Sequence, residues 1–157
     1  MAKNNFGLDF DGFLDLAKKI DELGEGYLQQ ATNNALQKSK DYANGQIVIA
    51  MSTSPYAFIK GKQSSSTNRP ATGKAVASVT DIMKNPVLWD GSVAKAYIGA
   101  DLKIAPETII LAMGTPHIKP DTKLKNALKV KGAIRKEVSR IQQEEFFKVI
   151  EEASKNG

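Results

Sequence analysis

From Ala133 onward, Ile134, Val138, Ile141, Phe146, Val149, Ile150 and Ala153 recur at helical spacing, while Arg135, Lys136, Glu137, Arg140, Glu144, Glu145, Glu151 and Glu152 fall largely on other faces. This is the strongest helix signal in the chain, and its single apolar face has to be buried against the rest of the fold. Two earlier segments carry the same period. Asp9 or Asp11 suits a helix start, and Phe13, Leu16, Ala17, Ile20 and Leu23 predict a helix over about 10–23. After Gly24 and Gly26, the residues Tyr27, Leu28, Ala31, Ala35, Tyr42 and Ala43 form a second stripe. Asn44-Gly45 either ends that helix or is traversed into Ile47–Met51, and continuation is the favoured reading.

The middle of the chain reads differently. Residues 60–74 contain almost no apolar side chains, so burial cannot offset the entropy of ordering them, and a mobile loop is expected. It is either a disordered insertion or a segment that orders against a partner. Beyond it, Val76, Val79 and Ile82, then Val87-Leu88-Trp89, Val93–Ile98 and Ile109-Ile110-Leu111 are broken by Asn85-Pro86, Asp90-Gly91 and Ala105-Pro106. Such runs read as strands joined by turns, with Asp90-Gly91 at a hairpin. Pro120-Asp121-Thr122 opens a short helical turn through Leu128, and Gly132 separates it from the last helix. The order implies an α+β fold: a small antiparallel sheet packed against N-terminal helices and a C-terminal amphipathic helix. A length of 157 residues predicts a single domain.

Composition excludes several chemistries. With no cysteine, disulfides, thiolate metal sites and cysteine nucleophiles cannot form. No run reaches the roughly 18 apolar residues of a membrane span, and Met1–Asn5 lacks a signal-peptide core, so a cytosol-like compartment is expected. His117 is the only histidine and sits between prolines, which favours a structural or solvated role. Gly73-Lys74 lacks the following Ser or Thr of a phosphate-binding loop. Ser92-Val93-Ala94-Lys95 matches a nucleophile spacing by chance and reads as strand. Asp9, Asp11, Asp21 and Glu22 suit helix first turns better than an acid–base pair. Trp89 reads as core. No catalytic residue, metal site or cofactor is expected, and the chain is read as a non-enzyme.

The net charge of +5 is unevenly spread: residues 1–50 carry −2, 51–120 carry +4 and 121–157 carry +3. Lys119, Lys123, Lys125, Lys129, Lys131, Arg135, Lys136 and Arg140 stand against only Asp121 and Glu137, an excess of six positive charges. This stretch is the candidate contact surface. It is either a solvated face, a phosphate contact with salt-dependent affinity, or a match for an acidic protein surface.

The amphipathic N-terminal region, a loop ending in Ala71-Thr72-Gly73-Lys74, a β region, Met113-Gly114-Thr115 followed by Pro116-His117-Ile118-Lys119-Pro120, and the terminal helix together resemble the neck and tail-completion family of long-tailed bacteriophages. In that family a Thr-Gly-basic segment precedes the first strand, and Gly-Thr with a proline-containing segment leads into the last helices. Ile118 and Lys119 depart from its usual aromatic and Arg, and Asp121 to Lys131 is longer than its usual connection. The resemblance implies a non-enzymatic virion component, assembled in the host cytoplasm as a homo-oligomeric ring of about six subunits at the head–tail joint, as a neck, tail-completion or tail-terminator protein. Its partners would be other neck and tail-tube proteins, with DNA in passing contact and no membrane. Under this reading the 1–50 and 119–140 surfaces meet between subunits or neighbouring rings. The loop, with Lys62, Arg69, Thr72, Gly73 and Lys74 as its candidate contacts, orders on assembly. The alternative is a small basic nucleic-acid-binding protein.

Overall fold

A computed structural model describes residues 18–24, 26–56, 58–62 and 71–156. Of the first expected helix, Lys18 to Asp21 is helical, Glu22 and Leu23 turn out of it, and residues 10–17 lie outside the described residues. Helix α1, Tyr27–Ser52, runs straight through Asn44-Gly45. Asn44 does not cap it because its side chain is occupied elsewhere. The Asn44 amide donates to the Tyr97 carbonyl at 3.2 Å, and its oxygen accepts the Gly99 N–H at 2.9 Å.

That pair also explains why Ala96–Ile98, expected as strand, belongs to no strand. A buried side-chain amide satisfies backbone groups that a neighbouring strand would otherwise take. The sheet shrinks to β1, Leu88–Asp90, and β2, Val93–Lys95, antiparallel with Asp90 opposite Val93. The hairpin at Asp90-Gly91 forms as expected, with Gly91 at φ 60° starting its two-residue turn. Ser92 sits in that turn rather than in the strand.

Two segments read as strands are helices. Helix α2, Lys74–Lys84, buries Ala75, Ser78, Val79 and Ile82, a spacing of three and four that outweighs its β-branched content. Helix α3, Glu107–Met113, turns Ile109-Ile110-Leu111 helical. Pro106 supplies a preset φ of −63° and Glu107 a charge favourable to the helix dipole. The fold is α+β, with most of its core made by helix on helix.

Helix α4, Thr122–Leu128, starts where expected, with Asp121 Oδ1 accepting the Leu124 N–H at 3.1 Å. Helix α5, Ala133–Asn156, follows Gly132. It lies antiparallel to α1. Ala31 and Ala35 meet Phe146 and Val149 at one end, and Ala43, Ile47, Ala50 and Met51 join Leu124, Ala127 and Val138 at the other. The alanines of α1 permit close approach, and Phe146, fully buried, fills the space they leave.

Glu145 is buried on this seam between Lys38 at 2.6 Å and Lys148 at 2.9 Å. Burial pushes its carboxyl up, but hydrogen bonds from the two ammonium groups outweigh that and hold it below the ordinary carboxylate range. A depressed folded pKa gives stability present above the unfolded value and lost as pH falls through the folded one. Glu145→Gln is therefore expected to be less stable than wild type at pH 7, with the gap closing below pH 4.5. Thermal unfolding of both proteins across that range checks it, and a gap independent of pH would refute it.

Candidate assembly and anion-binding surfaces

The two glycine motifs shape the surfaces around them. Gly73 has φ 77°, and a Cβ there would stand 3.0 Å from Lys60 Cβ. Gly61 N–H to Ala71 O, at 3.0 Å, and Ala71 N–H to Lys62 O, at 2.9 Å, close the stem of the 60–74 segment. Lys62 and Thr72 are exposed on that stem, and Lys74 is the first residue of α2. Thr-Gly-Lys thus precedes a helix here rather than a strand. Arg69 lies outside the described residues, as do 63–70 as a whole.

Gly114 is more tightly held. A Cβ would stand 2.7 Å from the Ile118 carbonyl oxygen and 2.9 Å from Pro120. Thr115 and Ile118 exchange backbone hydrogen bonds of 2.9 and 3.2 Å, and Thr115 Oγ1 accepts the His117 and Ile118 N–H groups. Tyr56 donates to the Lys119 carbonyl, and Ser54 Oγ donates to Asp121 Oδ2 at 2.6 Å. The Gly-Thr-Pro segment is a closed turn docked on the end of α1, with His117 exposed.

This turn leads out of α3, whose outward side the sequence reading missed. Ile109, Ile110 and Met113, together with Ile104 just before the helix, are exposed, whereas Thr108 and Ala112 face the core. Read at a period of two, Ile109-Ile110 suggests a buried strand. Read from Pro106 at a period of 3.6, the same residues line one side of a helix. A second apolar spot lies on the hairpin, with Leu88 45% and Val93 53% exposed. Trp89, expected as core, is half-buried, with its Nε1 3.5 Å from Asn33 Oδ1. It lines an open hollow of about 320 Å³ with Gly26, Gln29, Gln30 and Asn33.

The basic stretch does not form one uniform patch. Lys119 is exposed beside the Gly-Thr turn. Lys123 donates to Thr53 Oγ1 at 2.9 Å, and Lys125 is half-buried. Lys129 and Lys131 flank a Schellman turn. In it the Val130 N–H reaches Ala127 O at 3.1 Å, and the Lys131 N–H reaches Asn126 O at 3.0 Å. Val130 takes φ 50° there, a strained choice for a β-branched residue, held by burial of its side chain. Arg135, Lys136 and Arg140 line an open hollow of about 430 Å³ with Gly132, Ser139 and Gln143.

Arg140 contributes less charge than expected. Its Nε donates to Glu137 at 3.0 Å and its Nη1 pairs with Glu144 at 2.7 Å. The Glu137 hydrogen bond, then attraction to both carboxylates, raises the guanidinium pKa, and the same bond lowers that of Glu137. Asp121, the other carboxylate of the stretch, is buried as the α4 cap. The seam between α1 and α5 lies within the chain, and a long-range ion pair on it, Lys38–Glu145, has the sign opposite to the expected acidic-to-basic contact. Contact between the 1–50 and 119–140 surfaces of neighbours is left to outward-facing groups.

Among the described residues, no cluster of three or more His, Cys, Asp or Glu side chains is arranged to hold a metal ion, and no helix is long and apolar enough to cross a membrane. Comparisons with protein families, with curated proteins and with solved structures return no match.

Proposed function

We propose that this chain is a structural connector that self-associates into a ring at the head–tail joint of a long-tailed bacteriophage, as a neck, tail-completion or tail-terminator protein. The observation that carries the reading is the presence of two different exposed apolar spots on one subunit. One is the outer side of α3, and the other is the Leu88 and Val93 hairpin. Trp89 places the hairpin beside Asn33, whereas the Leu111 carbonyl of α3 accepts from the N–H of Asp121, whose side chain holds Ser54 just past the end of α1. At 1.5 Å per helical residue, Asn33 and the last residue of α1, Ser52, are about 28 Å apart. Two distinct patches suit a heterologous contact, in which one surface of a subunit meets a different surface of the next, and such contacts generate rings. Exposed apolar groups of this kind mark interaction sites. The Thr-Gly and Gly-Thr motifs that carry the family resemblance fall at glycines with little steric freedom, as expected of residues that set the shape of such surfaces.

The test is solution mass by light scattering after gel filtration. Wild type is expected as a discrete multimer near six subunits. Ile110→Asp with Met113→Asp is expected to give a monomer with unchanged circular dichroism. A multimer that survives the double substitution removes α3 from the contact, and a wild-type chain that stays monomeric at every concentration overturns the autonomous ring.

A further inference from the structure

We infer that the hollow between the hairpin and the first turns of α1 binds a neutral oligosaccharide. Trp89 is the platform for a sugar ring, and the amides of Gln29, Gln30 and Asn33 are its hydrogen-bonding partners. Strand pairing sets Trp89 opposite Ala94, on the other face of the hairpin from Leu88 and Val93. The indole therefore faces α1, where its Nε1 lies 3.5 Å from Asn33 Oδ1, and it stays half-exposed. Gly26, just before α1, and Gln29, Gln30 and Asn33 within it stand at steps of three and four, so one side of the helix carries them all.

The chemistry of the lining selects the ligand. Among the described residues that line the hollow none is charged, so an ion entering it would give up hydration without a counter-charge. The hairpin's own charges, Asp90 and Lys95, pair with each other at 3.4 Å on its opposite face. Gln29 and Gln30 are exposed, and their amides make no hydrogen bond to other described residues. A side-chain amide presents donors and an acceptor side by side, which suits a hydroxyl that both donates and accepts. A pyranose ring adds a flat face of C–H groups for the indole to cover, while its rim leaves the hydroxyls to the amides. Single-stranded nucleic acid also stacks on aromatic side chains, but such sites track the phosphates with a cationic groove, and no cation lines this one. The volume, about 320 Å³, is at the small end of the roughly 300–1,000 Å³ of ligand sites. Being open, the hollow holds its ligand from one side, and millimolar affinity is expected. The inference does not depend on the connector reading, because the apolar spot assigned to assembly is on the other face of the hairpin.

Trp89 is the only tryptophan in the chain, so its fluorescence reports on this hollow directly. The full chain is titrated with cellohexaose, chitohexaose and maltohexaose, and with sorbitol as a polyol that has no ring. At least one of the oligosaccharides is expected to shift or quench the emission saturably, whereas sorbitol at equal hydroxyl concentration leaves it unchanged. Gln29→Ala with Gln30→Ala alters only exposed positions and should weaken binding at least about fivefold, from two lost hydrogen bonds, with unchanged circular dichroism. Trp89→Ala should abolish saturation transfer to the sugar in NMR, and Trp89→Phe, which keeps a ring, should retain part of it. No saturable response to any of the three sugars, an equal response to sorbitol, or full affinity in the glutamine variant would each overturn the inference. Tighter binding of oligothymidylate at the same tryptophan would do so too. Mass measured on the same samples reports on the ring independently.

Discussion

Gly114→Ala is expected to destabilise the chain by about 3 kcal/mol or more, from a disallowed backbone conformation together with a steric clash. Gly114 has φ 76° and ψ 172°, a region that side-chain-bearing residues avoid, and the added methyl would overlap the Ile118 carbonyl and Pro120. The neighbours cannot yield easily. Ile118 is tied to Thr115 by two backbone bonds, and the Asp121 N–H is tied to Leu111 O at 3.0 Å. For a chain of this length the melting temperature should fall by about 6–12 °C. Gly45→Ala provides the contrast. Gly45 lies inside α1 with open space around its Cα, so alanine there should stabilise by about 0.5–1 kcal/mol through helix propensity. If both variants melt together, the steric account of the Gly-Thr turn is wrong.

Lys40→Met is expected to cost about 2–3 kcal/mol, the range for hydrogen bonds to a charged group. The Lys40 side chain is 1% exposed, and its ammonium donates to the Met83 and Asn85 carbonyls, with Asp41 3.8 Å away. Those carbonyls lie at the end of α2, where the helix's own cap bond, from the Asn85 N–H to Ile82 O, leaves them to the lysine from α1. Methionine retains the volume and removes the donors. Besides a lower melting temperature, faster amide exchange in the last turn of α2 is expected. A variant as stable as wild type would mean that water replaces the ammonium without loss.

Where a signal lay within one or two turns of chain, it was legible before folding. The apolar stripes of α1 and α5, the Asp121 cap, the break at Gly132 and the hairpin at Asp90-Gly91 all depend on neighbours a few residues away. Helix α2 was equally local, since Ala75, Val79 and Ile82 have helical spacing. There β-branched composition concealed the period.

Other features required residues far apart in sequence. Asn44 reaches Tyr97 and Gly99 across more than fifty residues, and so decides that Ala96–Ile98 needs no strand partner. Lys38 and Glu145, 107 residues apart, join the two long helices. Burial of Lys40, half-exposure of Trp89 and the outward side of α3 follow from which faces the packed helices cover, which no local pattern specifies. The basic stretch divides along the same line. Its charge is a property of the sequence, whereas burial of Asp121 and the pairing of Arg140 with Glu137 and Glu144 are set by the fold. Period, capping and turn chemistry act through the nearest four residues of backbone and are therefore written in the sequence. Exposure, pairing and the net field at a surface are sums over whatever the fold brings close, and only the tertiary structure supplies them.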